Sequence, residues 1–141
     1  MKQKNLYRET LMKHYRNPQN KVEQLPTGYF QQQGINPSCG DNLVLYIKLE
    51  DNFISDIKFM GEGCSICCSS TSILTDELVG KTKAEILNKI KQFEKLITGQ
   101  NYDISLFQEA ISYTEMVNFP NRHKCVLLPW QAMEEFLKQE I

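Results

Sequence analysis

The chain holds five cysteines in 141 residues, and their placement is the first chemical signal. Asn36-Pro37-Ser38-Cys39-Gly40-Asp41 sets a thiol and a carboxylate two residues apart across a glycine. In a turn, unlike a strand, such neighbours can aim at one point. Gly61-Glu62-Gly63-Cys64 places a second thiol behind two glycines, which permit backbone angles that a side chain would forbid. Cys125, 61 positions after Cys64, is the remaining distant thiol, with Arg122 and Lys124 beside it. Three sulfurs and one oxygen fit tetrahedral zinc, with Zn–S of about 2.3 Å and Zn–O of about 2.0–2.2 Å. An oxygen ligand suits a borderline-soft ion less well than sulfur does, so Cys39, Asp41, Cys64 and Cys125 describe a metal site with a replaceable ligand. Three thiolates and a carboxylate on Zn²⁺ sum to about −2, a charge that Arg122 and Lys124 would offset.

These residues need elements to carry them. Asn42–Glu50 alternates Leu43, Leu45, Ile47 and Leu49 on one face, and Asp51-Asn52 supplies turn chemistry before a second alternating run, Phe53–Met60. Antiparallel pairing of the two runs sets the start of one beside the end of the other, bringing Cys39, Asp41 and Cys64 together. Tyr29–Gln33 reads as a further, weaker strand. Tyr7, Leu11 and Tyr15 recur at helical spacing over Asn5–Tyr15, ended by Asn17-Pro18. Ser65–Val79 reads as a helix closed by Gly80, with Ser69-Ser70-Thr71-Ser72 as a crowded, small-residue packing face. Thr82 and Glu85 form a capping-box pattern ahead of Ile86, Ile90, Phe93 and Ile97, up to Gly99. A shorter helix is expected from Asp103 to Ile111, and a last one over about Arg122–Lys138, where the interior Pro129 predicts a kink or a later start. The fold class is therefore α+β, a small antiparallel three-stranded sheet packed with helices, in one domain spanning residues 1–141.

The other chemistry-bearing residues have plainer readings. Cys67 and Cys68 read as core filler on an internal helix, although Cys64-Ser65-Ile66-Cys67 has the form of a redox pair or an alternative ligand set. His14 and His123 are expected at the surface or at helix ends, with His123 a reserve ligand two residues before Cys125. Trp130 is expected in the core.

Composition narrows the function classes. Lys and Arg number 16 against 17 Asp and Glu, so no basic excess is available for phosphates or anionic lipid, and nucleic acid and membrane partners are not expected. The opening residues interleave charge with apolar side chains, unlike a signal peptide or a spanning helix, which implies a cytoplasmic protein with reduced thiols.

The pieces NPSCGD, GEGCSI and RHKC, in that order, resemble the three ligand-bearing motifs of the SufU branch of the IscU/NifU-like iron–sulfur assembly scaffold family, over nearly the whole chain. Lys124, where IscU-type scaffolds carry histidine, and the long stretch between Cys64 and Cys125 are SufU-like. The resemblance implies a zinc-dependent sulfurtransferase that accepts persulfide sulfur from a SufS-type cysteine desulfurase and serves downstream Fe–S assembly proteins. Cys39 would be the acceptor, and Arg122 would support the partner interaction. A scaffold carrying a transient Fe–S cluster on the same cysteines is the alternative, and a purely structural zinc module is a third. Cys67, Cys68 and Pro129 depart from the family pattern.

Overall fold

The computed structural model describes residues 2–140. Its centre is a three-stranded antiparallel sheet in chain order, β1 (Phe30–Asn36), β2 (Asp41–Glu50) and β3 (Phe53–Glu62). Leu43, Leu45 and Ile47 of β2 are buried on one face, whereas Leu49, beyond a register shift at Lys48/Leu49, is only half-buried. The weak strand of the sequence is longer than expected. β1 pairs along β2 from Phe30↔Ile47 to Asn36↔Asp41, so the Pro37–Gly40 segment is the connecting turn of a hairpin.

Among the described residues four α-helices pack with the sheet: α1 (Lys2–Arg16), α2 (Ser65–Leu78), α3 (Lys83–Thr98) and α4 (His123–Glu140). α3 starts and stops where its capping signals say. Thr82 Oγ1 accepts the Glu85 amide, Glu85 returns a carboxylate oxygen to the Thr82 amide, and Gly99 turns left-handed. Its buried stripe, Ile86, Ile90, Phe93 and Ile97, meets Trp130 of α4, whose ring stacks on Phe93 at 4.0 Å.

The polar run on α2 is a buried row of hydrogen bonds to three different neighbours. Ser69 shares a bond of 2.5 Å with Tyr113, Ser70 donates to the Val126 carbonyl at 2.6 Å and accepts from the Trp130 indole at 3.0 Å, and Ser72 lies 2.7 Å from His14 Nδ1. His14 is therefore at a helix end but not at the surface. Only 7% exposed, it bridges Ser72 and the Glu109 carboxylate and pins α1 to the rest of the molecule.

The expected short α-helix from Asp103 to Ile111 does not form. Asp103 does cap a single 3-10 turn, Ile104–Leu106, by accepting from Ser105, but the chain breaks there, and a second 3-10 segment runs over Glu109–Asn118. The cause is a side chain from α2: Glu77 Oε2 accepts the amides of Gln108 and Ala110, at 2.9 and 2.8 Å, replacing the bonds that a continuous helix would make. Buried Glu77 is itself held 2.7 Å from the Lys89 ammonium. A third 3-10 turn, Pro120–Arg122, leads into α4.

α4 begins at His123 and continues through Pro129 as one element, so the proline does not delay its start. Pro129 has no N–H to give to the carbonyl of Cys125, four residues earlier. The missing bond thus falls beside the thiol of interest.

Candidate metal centre

Cys39, Asp41 and Cys125 converge from three parts of the chain. Cys39 sits in the β1–β2 turn with its amide bonded to the Asn36 carbonyl, Asp41 opens β2, and Cys125 is in the first turn of α4. One ligand atom from each of the three lies within 4.8 Å of the others. The Cys125 thiol donates to Cys39 Sγ at 3.5 Å. The three differ sharply in exposure: Asp41 and Cys125 are 1% and 0% exposed, whereas Cys39 faces solvent.

Cys64 borders this trio without joining it in a single group. Strand pairing brings it there, since Asn42 faces Glu62 across β2 and β3 and Cys64 follows two residues later. Its amide donates to Asp41 Oδ1 at 2.9 Å. Its sulfur, however, is the N-cap of α2 and accepts the Cys67 amide at 3.4 Å, which draws it toward the helix end.

The two glycines before Cys64 have separate reasons. Gly61 has φ +140°, and a Cβ there would lie 2.3 Å from the Asn42 carbonyl oxygen. At Gly63 the constraint is close approach, because a Cβ would come within 2.7 Å of Asp41 Oδ1. Gly63 thus makes room for the carboxylate.

Asp41 supplies the test of whether a cation fits. Its Oδ1 is bonded, but Oδ2 is buried without a hydrogen-bond partner. A buried carboxylate oxygen left this way costs about 1–3 kcal/mol unless something positive meets it. Burial, and after it the neighbouring Cys39 and Cys64 thiols and the Asp41 carboxylate, hold the Cys125 thiol far above its ordinary range. A dication bound to the Cys125 sulfur would reverse that shift, because a coordinating thiol is deprotonated. The donor set of Cys39, Asp41 and Cys125, sulfur-rich with one carboxylate, is of a kind that suits zinc.

The remaining predicted residues stand outside the trio. Arg122 and Lys124 are exposed, and neither side chain makes a hydrogen bond or ion pair among the described residues. His123 Nε2 is bonded to the Met116 carbonyl at 2.7 Å, which turns the ring toward the second 3-10 segment. Cys67 is 2% exposed within the hydrophobic core, and burial above all raises its thiol. Cys68 is half-buried and donates to the Gly63 carbonyl at 3.6 Å. One residue went unnoticed in the sequence: buried Asn36, whose Nδ2 points at Cys125 Sγ from 4.0 Å. Its position three residues before Cys39 was the available signal.

The model of the NifU-like N-terminal domain matches residues 6–126. The chain belongs to this family. Its similarity to the zinc-dependent sulfurtransferase SufU of Bacillus subtilis is 37% identity over 140 residues, covering 96% of this chain and 91% of that protein. With the iron–sulfur cluster assembly scaffold protein IscU of Thermotoga maritima it shares 36% identity over 108 residues, 77% and 76% of the two chains. The crystal structure of an iron–sulfur cluster assembly scaffold protein for the SUF system from Fervidobacterium islandicum superposes with a TM-score of 0.84 at 34% identity, over 92% of this chain and 94% of that one. The α+β architecture of this NifU-like chain is thus the one seen in a solved SufU structure. No helix among the described residues is long and apolar enough to cross a membrane.

Proposed function

We propose that this NifU-like chain is a zinc-dependent sulfurtransferase that takes persulfide sulfur from a SufS-type cysteine desulfurase and passes it on to iron–sulfur cluster assembly. One observation supports the reading: Cys39 is exposed, whereas Cys64 is half-buried and Cys125 and Asp41 are buried, so Cys39 is the most accessible thiol to a sulfur carried by another protein. Cys39, Asp41, Cys64 and Cys125 are the ligands assigned to the ion. Zinc, when bound, keeps its cysteines as thiolates, the nucleophilic form. Cys39 then attacks the outer sulfur of the donor's persulfide. A bond forms between Cys39 Sγ and that sulfur, the donor's S–S bond breaks, and the donor cysteine leaves as a thiolate. The loop position of Cys39 lets it leave the cluster for this attack, while Asp41 and Cys125, held in β2 and α4, stay behind. Arg122, exposed three residues from Cys125, is assigned to the partner contact, where a cation favours the anionic sulfur species. The similarity to the Bacillus subtilis sulfurtransferase over 96% of this chain supports the zinc and transfer parts of the reading.

A scaffold role is the second reading, favoured by the sulfur-dominated donor set and by the similarity to IscU of Thermotoga maritima. Two measurements separate them. Purification without added iron should give a colourless protein with one zinc, whereas a brown chromophore that can be handed on supports the scaffold. Desulfurase turnover should rise with the wild type and not with Cys39→Ala, each checked for zinc. Equal stimulation by the alanine variant overturns the acceptor assignment.

A further inference from the structure

Iron–sulfur clusters are built from sulfide, whereas a persulfide carries its terminal sulfur at the oxidation level of elemental sulfur, so two electrons must be added before that sulfur can be used. The cluster holds a source of these electrons. Cys125 Sγ lies 3.5 Å from Cys39 Sγ, in van der Waals contact, and its S–H is directed at that sulfur. A disulfide requires about 2.05 Å, so the gap to close is about 1.5 Å. Cys39 is in an exposed turn that can make the movement, while Cys125 is fixed in α4 with the Asn36 amide at its sulfur.

Resting on the acceptor reading above, we infer that Cys125 is a resolving thiol: once Cys39 carries a persulfide and both sulfurs are free of metal, Cys125 attacks Cys39 Sγ and releases the terminal sulfur as hydrogen sulfide. The step balances within the chain. The Cys125 Sγ–Cys39 Sγ bond forms, the bond from Cys39 Sγ to the terminal sulfur breaks, and hydrosulfide leaves with the bonding pair. The Cys125 thiol proton passes to it. The two cysteines are oxidised to a disulfide and supply both electrons that reduce the sulfane sulfur. Position decides which sulfur is attacked, since it is Cys39 Sγ that Cys125 already touches, whereas a terminal sulfur on the exposed side projects away from it. While both thiols ligate a metal the reaction is blocked, so metal occupancy would separate carrying sulfur from releasing it as sulfide. Cys67, although part of the C-x-x-C sequence, is buried in the core and is not the resolving thiol in this scheme.

The test uses the full chain, stripped of metal by a chelator under anaerobic conditions and loaded with inorganic polysulfide. Cyanide-labile sulfur counts the persulfide, methylene blue counts sulfide without added reductant, and peptide mass spectrometry maps the disulfide. The wild type should release about one sulfide per persulfide and yield Cys39–Cys125 linked peptides. Cys125→Ser should retain cyanide-labile sulfur and release sulfide at least about ten-fold more slowly, because the neighbouring nucleophile is gone. Cys68→Ser should behave as the wild type. The disulfide map comes from the wild type alone, so it decides even where the serine variant is poorly folded. Failure of Cys39 to take up sulfur both here and from the desulfurase overturns the acceptor reading and this inference together. Loaded wild type that keeps its sulfur, equal release from a folded Cys125→Ser, or a disulfide joining Cys64 to Cys67 overturns this inference alone.

Discussion

Asp41→Asn separates a metal ligand from a structural carboxylate by the sign of two effects. Asp41 Oδ1 accepts the Cys64 amide at 2.9 Å, and an asparagine oxygen can keep that bond. Making it neutral rather than charge-assisted loses about 1 kcal/mol. Oδ2, buried with no partner, costs about 1–3 kcal/mol in the metal-free protein, and an asparagine amide there could donate to the adjacent sulfurs. The metal-free variant should therefore be as stable as the wild type or more stable by up to about 2 kcal/mol. Metal binding should move the other way. Loss of an anionic ligand should exceed the 10–100-fold effect typical of groups that only orient ligands, so zinc affinity should fall by about 100-fold or more, equivalent to about 2.7 kcal/mol. Urea unfolding of chelator-treated protein measures the first quantity, and competition with a chromogenic zinc chelator measures the second. If Asp41 serves only as an anchor for the start of α2, the substitution will destabilise the metal-free protein by more than about 1 kcal/mol and leave zinc affinity unchanged. That outcome would refute the ligand assignment.

Two further effects follow from the packing around the site. Ser70→Ala removes the donor to the Val126 carbonyl and strands the buried Trp130 indole N–H, so urea unfolding should show a loss of about 2–4 kcal/mol; a loss below about 0.5 kcal/mol would show that α2 and α4 are not joined through this hydroxyl. The metal-free protein should also weaken in alkali. Burial, foremost, keeps the Cys67 thiol protonated in the folded state well above its ordinary value of 9.0, whereas the unfolded thiol ionises near that value. Its contribution is whole below about pH 9 and is lost as the pH climbs beyond it, at up to about 1.4 kcal/mol per pH unit. Reduced, chelated protein unfolded in urea between about pH 7 and pH 10 should show this decline, with a shallower slope for Cys67→Ala.

Much of the frame could be read from local pattern. The β2–β3 hairpin, the capped α3 and the small-residue face of α2 rest on alternation, capping chemistry and helical spacing, all interactions between near neighbours in the chain. The 3-10 path from Ile104 to Arg122 could not be read this way, because its cause is Glu77, about thirty positions earlier, taking two amides that a helix would have used. His14 lies at a helix end as its position implies, but its burial was hidden for a related reason. A histidine in the last turn of an amphipathic helix looks solvated until α2 and the Glu109 segment close over it.

The cysteines divide along the same line. Residue type and spacing alone make Cys39, Asp41 and Cys64 candidate ligands, since a thiol and a carboxylate across a glycine, and a thiol behind two glycines, are local features, while Cys125 joins them only as the remaining distant thiol. Only the tertiary structure decided their inequality: Cys39 is left in solvent, Cys125 is buried against it at 3.5 Å, Cys64 is drawn toward the α2 terminus, and one oxygen of Asp41 has no partner. Exposure and contact between distant residues are set by which surfaces the helices cover, and that is a property of the packed molecule rather than of any stretch of its chain.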